Sequence, residues 1–86
     1  MSDRLVRKIR KDSEGHVVAL CSPNDDWSPR LKEDVIRDIE SGGHRYYIAR
    51  GVHRLWLYVV DDRQGKRLHT VRHGTGRNAL RWLPEE

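Results

Sequence analysis

Between Trp27 and Gly43 lies the segment of this chain that carries both a helix-start and a helix-stop signal. Ser28 offers a hydroxyl to an orphan first-turn N–H, and Pro29 has the fixed φ that suits a first helical position. Gly42 or Gly43 supplies the left-handed residue that ends a helix. Leu31, Val35, Ile36 and Ile39 recur at helical spacing on one face, while Glu33, Arg37 and Glu40 point away. A helix with a single apolar stripe must lie on something, and the rest of the chain reads as strands and turns.

Met1 to Asp3 is expected to be loose. Arg4 to Lys11 reads as a basic edge strand with Leu5, Val6 and Ile9 as its apolar positions. Asp12-Ser13-Glu14-Gly15 is a hairpin-length turn, and His16 to Cys21 is apolar on both faces, as an interior strand is. The loop Ser22 to Asp26 sets two carboxylates near the positive end of the helix. Beyond it, His44 to Ala49 and Val52 to Val60 form two strands joined at Arg50-Gly51. The second is the most hydrophobic segment, with Leu55, Leu57 and Val59 toward the helix and Trp56, Tyr58 and Val60 on the other face. Arg67 to Val71 is a short strand. Asn78 to Pro84 forms one helical turn in which Leu80 and Leu83 close the core. The expected fold is a single α+β domain over residues 4–84, with flexible ends at 1–3 and 85–86. Its order is ββαβββ, a small antiparallel sheet with one helix packed on a face.

A chain of 86 residues buries only about 60–65 % of the surface exposed when unfolded, which argues against a deep catalytic cleft. No run approaches the roughly 18 apolar residues of a membrane span, and no signal-peptide core follows the charged first residues. The single Cys21 reads as a small buried hydrophobe. The expected location is therefore cytoplasmic, with no membrane partner.

The formal net charge is +4, and its distribution says more than its size. From Arg63 to Arg81 the chain carries Arg63, Lys66, Arg67, Arg72, Arg77 and Arg81 with no acid between them, interleaved with His69 and His73 and followed by Trp82. Cations spread along one surface displace phosphate counterions, and aromatic rings stack on bases, so this run is the candidate nucleic-acid-binding site. The same charges also keep a small domain soluble. A second basic run, Arg4, Arg7, Lys8, Arg10 and Lys11, occupies the first strand. A protein partner or a second copy is the alternative, through Trp56 and Tyr58 on a face the helix does not cover.

Metal binding and catalysis have less behind them. His69 and His73 on a strand and its exit lie roughly 12 Å or more apart, and no third ligand is near, so no metal and no cofactor are expected. The carboxylate pairs Asp25-Asp26 and Asp61-Asp62 fall in turns, where acids cap and solvate. Cys21 and the five His could in principle form a dyad, but nothing in the spacing selects one, and Gly74-Thr75-Gly76 lacks the Gly-Lys-Ser/Thr ending of a phosphate cradle. No catalytic residues are assigned, and the expected activity is binding without transformation, with a small enzyme or a metal-binding domain as the remote alternatives.

The segment Trp27-Ser28-Pro29 through Ser41-Gly42, the following Tyr46-Tyr47-Ile48 and the ending Leu68-x-Thr70 … Asn78-x-Leu80-x-x-Leu83-Pro84 together resemble the bacterial domain-of-unknown-function family 3892. The terminal signature is the most specific part. In the loop after Thr70 this chain has Val71-Arg72-His73-Gly74 where that family commonly carries an acid. The resemblance implies a stand-alone bacterial module with no established activity, and it bears on fold more than on function.

Overall fold

The computed structural model describes residues 2–63, 65–72 and 76–86. The basic opening stretch is two strands, β1 (Ser2–Leu5) and β2 (Lys8–Lys11), where a single edge strand was expected. The chain changes partners between them. The Val6 N–H donates to the Tyr47 carbonyl at 2.8 Å, and the Arg7 N–H to the Cys21 carbonyl at 2.9 Å. Burying Val6 at this corner is what bends the strand from one sheet into another. β2 then pairs antiparallel with β3 (Val17–Cys21), Ile9 opposite Leu20, and β3 lies between β2 and β4 (Arg30–Leu31) as an interior strand.

The helix α1 spans Lys32–Ser41, starting three residues later than the Ser28 and Pro29 signal suggested. Ser28 is used elsewhere: its hydroxyl accepts the Ser22 N–H at 2.8 Å and closes the loop between them. The Ser28–Pro29 bond is cis, and Arg30 and Leu31 pair with Leu20 and Ala19 before the helix begins. Leu31 therefore occupies the N-cap position without a side-chain cap and is 57 % exposed, so it leaves the apolar stripe. Val35 and Ile36 are buried and Ile39 packs against the core, as the periodicity requires. At the other end Gly42 adopts φ 76°, and its N–H and that of Gly43 satisfy the Ile39 and Asp38 carbonyls.

β5 (His44–Arg50) and β6 (His53–Trp56) form a hairpin with Tyr47 opposite Trp56; Val52 sits in its turn, fully solvated. The hydrophobic segment that follows is also bent. Leu57 is buried, and its N–H donates to the Tyr46 carbonyl at 2.9 Å. Past it the chain becomes β7 (Tyr58–Asp62), paired antiparallel with β8 (Gly65–His69). Three small sheets are thus joined through two bent strands, and α1 packs against members of all three. The class is α+β with one helix packed on small sheets. One pair, β1 with β5, runs parallel, which an intervening hairpin, loop and helix make long enough to connect.

The core gathers Val6, Ile9, Leu20, Val35, Ile36, Tyr46, Ile48, Leu57 and Leu68, and Leu80 plugs its open end. Leu80 is held there by a 3₁₀ turn, Ala79–Trp82. Asn78 accepts the Leu80 N–H on its side-chain oxygen at 3.2 Å and donates its amide to the Leu68 carbonyl at 2.8 Å. Thr70 Oγ1 accepts the Ala79 N–H at 3.0 Å. The terminal Leu-x-Thr and Asn-x-Leu residues are therefore each other's partners. Pairing reaches both ends of the described chain: Ser2 and Asp3 lie in β1, and Ile9 exchanges backbone hydrogen bonds with Pro84 and Glu86. Among the described residues, no helix is long and apolar enough to cross a membrane.

Candidate nucleic-acid interface

The bond from Asn78 to Leu68 of β8, and that from Ala79 to Thr70 just after it, set the 3₁₀ turn beside that strand. The Gly15–His16 turn and Lys32, the first residue of α1, face them. The result is an open groove of about 740 Å³. Lys66 and Arg67 from β8, Arg77 and Arg81 from around the 3₁₀ turn, and Lys32 supply cations to its lining. No described residue that lines it is acidic. Lys66 donates to both carboxylate oxygens of Glu40 at 2.7 and 2.9 Å, which raises its pKa and offsets its charge. Lys32, Arg77 and Arg81 make no ion pair with another described residue, so the groove keeps a positive surplus. Trp82 closes the lining, 52 % exposed, with the Arg50 guanidinium 4.4 Å from its ring centroid.

Four of the six cations singled out from sequence, Lys66, Arg67, Arg77 and Arg81, therefore share one groove. Arg63 and Arg72 are exposed but lie outside its lining. The basic run of β1 and β2 does not join it either: Arg4 faces Asp38 and Tyr46, and Arg10 pairs with Glu86 at 2.8 Å. Lys32 and His16 are the members that sequence reasoning missed. By sequence position Lys32 borders the apolar stripe of the helix, where a lysine stem can cover apolar surface, and only the packing of α1 beside β8 brings it here. His73, Gly74 and Thr75 lie outside the described residues.

His69 forms part of the groove wall, with 2 % of its surface exposed. Its Nδ1 accepts the Val71 N–H at 2.9 Å, and burial, then the neighbouring Arg67 charge, push its pKa below the ordinary imidazole range. A neutral ring with that nitrogen engaged is a structural wall. No group of three or more His, Cys, Asp or Glu that could hold a metal occurs among the described residues. Cys21 is buried, and burial pushes its thiol pKa up, away from the reactive thiolate. Of the turn carboxylates, Asp25 accepts the Ser22 hydroxyl at 2.5 Å.

A second polar cluster centres on Asp38, away from the groove. Arg30 donates to both its oxygens at 2.6 and 2.9 Å, the Tyr46 hydroxyl donates at 2.5 Å, and Arg4 approaches to 3.7 Å while donating to that hydroxyl at 2.8 Å. Burial works to raise the Asp38 pKa, but the bonds from Arg30 and Tyr46 outweigh it and hold the carboxyl below its usual range. Burial and the Asp38 bond push Tyr46 up to about 12. These groups satisfy one another and join β1, β4, α1 and β5. On the outer face of the β5–β6 hairpin, Trp56 packs on Tyr47 with ring centroids 5.4 Å apart. Arg45 and Arg54 sit 4.4 and 4.9 Å from the two centroids. This outer aromatic face is thus roofed by guanidinium groups.

No protein-family model, curated protein or solved structure matches this chain.

Proposed function

We propose that this chain is a non-enzymatic cytoplasmic module that binds nucleic acid in the groove between β8, the 3₁₀ turn and the start of α1. The observation that supports the reading is the gathering of Lys32, Arg77 and Arg81, none ion-paired among the described residues, around a lining without acids. Such a surface attracts a polyanion by releasing its condensed counterions. Lys66 and Arg67 extend the cationic wall along β8. The resemblance to family 3892 belongs to the same proposal as the placement of the module among bacterial proteins.

The test is a titration of labelled single-stranded and duplex DNA and RNA at about 50 and 200 mM salt. Affinity is expected to fall steeply with salt in the wild-type protein. A variant with Ala at Lys32, Arg77 and Arg81 should lose about 0.7–0.9 of slope for each phosphate contact removed. A variant with Ala at Arg63 and Arg72, outside the groove, should bind nearly as the wild type. Binding no tighter than roughly 10⁻⁴ M, or equal binding by the groove variant, would reject the proposal and turn attention to an acidic protein partner.

A further inference from the structure

We infer that the groove takes single-stranded nucleic acid, with Trp82 as a platform on which one base stacks; this rests on the nucleic-acid reading of the groove. Two independent features meet here. One is the cationic lining, suited to a sugar-phosphate backbone. The other is Trp82, a large aromatic residue that lines the same groove and keeps half its surface in water. Trp27 and Trp56 are partly buried by comparison, packed on Tyr46 and Tyr47 respectively.

The indole is also held in place. The Arg50 guanidinium at 4.4 Å from its centroid braces the ring through a cation–π contact, so less side-chain freedom remains to be lost when a base arrives. The brace adds a further cation beside the stacking surface. In a duplex both faces of each base are already stacked on neighbours, and protein side chains reach only base edges in the grooves. Arg50 lies over one face of the indole, and the opposite face is useful only to a base free of its partner. The alternative of a duplex reader needs a helix or β-ribbon free to enter a major groove. Here α1 is committed to the core through Val35 and Ile36, and the β7–β8 ribbon is tied down by the buried Leu68 and by the Asn78 bond to its carbonyl.

Stacking on one aromatic ring is worth about five- to a hundredfold in affinity by alanine substitution. The full chain is titrated with a short thymidine deoxyoligonucleotide, a uridine oligonucleotide of the same length, an abasic deoxyoligonucleotide with the same number of phosphates, and a duplex. Wild type, Trp82→Ala, Trp82→Phe and the double variant Arg77→Ala/Arg81→Ala are compared, each checked for an unchanged melting temperature. The wild type is expected to prefer thymidine over the abasic strand and over the duplex. Trp82→Ala should bring thymidine binding down to the abasic level without changing abasic binding or the salt slope, and Trp82→Phe should restore most of it. The uridine and thymidine arms should each lose a similar factor to Trp82→Ala. Equal wild-type binding of thymidine and abasic strands, tighter binding of the duplex, or an equal loss for both strands in Trp82→Ala would overturn the stacking platform. If Arg77→Ala/Arg81→Ala still weakens every arm in that event, the groove reading survives it. No binding in any arm rejects both.

Discussion

Asp38 sits at 13 % side-chain exposure with bonds from Arg30 and Tyr46 and the Arg4 charge beside it, and no polar side-chain atom among the described buried residues lacks a partner. Removing the carboxylate would leave the Tyr46 hydroxyl and the Arg30 guanidinium without their acceptor and the Arg4 charge without its counterion, at the junction of four elements. Asp38→Ala is expected to cost about 2–4 kcal/mol in urea unfolding, most of it from donors left without an acceptor. Tyr46→Phe should cost only about 1 kcal/mol, because Asp38 keeps Arg30. A loss under about 0.5 kcal/mol for Asp38→Ala would show that water replaces the carboxylate at no penalty. This hub was not legible from sequence. Asp38 lies on a helix face that reads as solvated, and its partners Arg4 and Tyr46 come from strands far along the chain.

At the scale of elements, the signals made of local chemistry were readable and those made of pairing were not. Gly42 ends the helix because a left-handed residue is needed there whatever surrounds it, and Asn78 caps the turn ahead of Leu80 for a similarly local reason. The helix start was misplaced because Arg30 and Leu31 are claimed by β3, a neighbour from an earlier hairpin. The bends at Val6 and Leu57 left no mark, since apolar residues run through both positions without a glycine or proline to punctuate them. The uncapped N-terminus of α1 makes a further expectation. Leu31 has extended backbone angles, φ −65° and ψ 147°, and an exposed side chain. Threonine suits a short edge strand and can accept an orphan helix N–H, so Leu31→Thr should stabilise the domain by about 0.5–1 kcal/mol in the same unfolding assay. A loss of stability would mean that the leucine covers more apolar surface than its exposure indicates.

For the whole molecule, stability should respond to pH through the buried wall of the groove. His69 has a folded-state pKa pushed down by burial and by Arg67, so the unfolded chain takes up a proton that the folded chain refuses. Its contribution is complete above the unfolded imidazole value of about 6.5 and is lost as pH falls from there through the folded-state value. The lowered pKa of Asp38 acts in a separate window, present above about 3.9 and lost on further acidification. Urea midpoints measured from about pH 7 downward should therefore begin to fall near 6.5, and a His69→Asn variant, which keeps an acceptor for the Val71 N–H, should flatten that first decline. An identical decline in the variant would assign it to other groups. The groove itself was half legible. Its cations from β8 and the 3₁₀ turn share one acid-free run of sequence, whereas Lys32 and His16 arrive through packing that no local pattern records.

The corner at Val6, where the chain passes from one sheet to the next, also bears on the order in which the molecule can assemble. β1 has its neighbours in β5, some forty residues later, and Ile9 waits for Glu85. The bend at Val6 cannot be fixed until both of the sheets it joins exist, because the Val6 and Arg7 amides find their acceptors at Tyr47 and Cys21 only then, whereas Leu57 finds Tyr46 within its own hairpin. Loop closure over such separations must come before the contacts that reward it. A chain of this size could fold in microseconds if its contacts were local; the pairing of β1 with β5 is expected to slow it, and stopped-flow refolding slower than about a millisecond is the outcome that checks this.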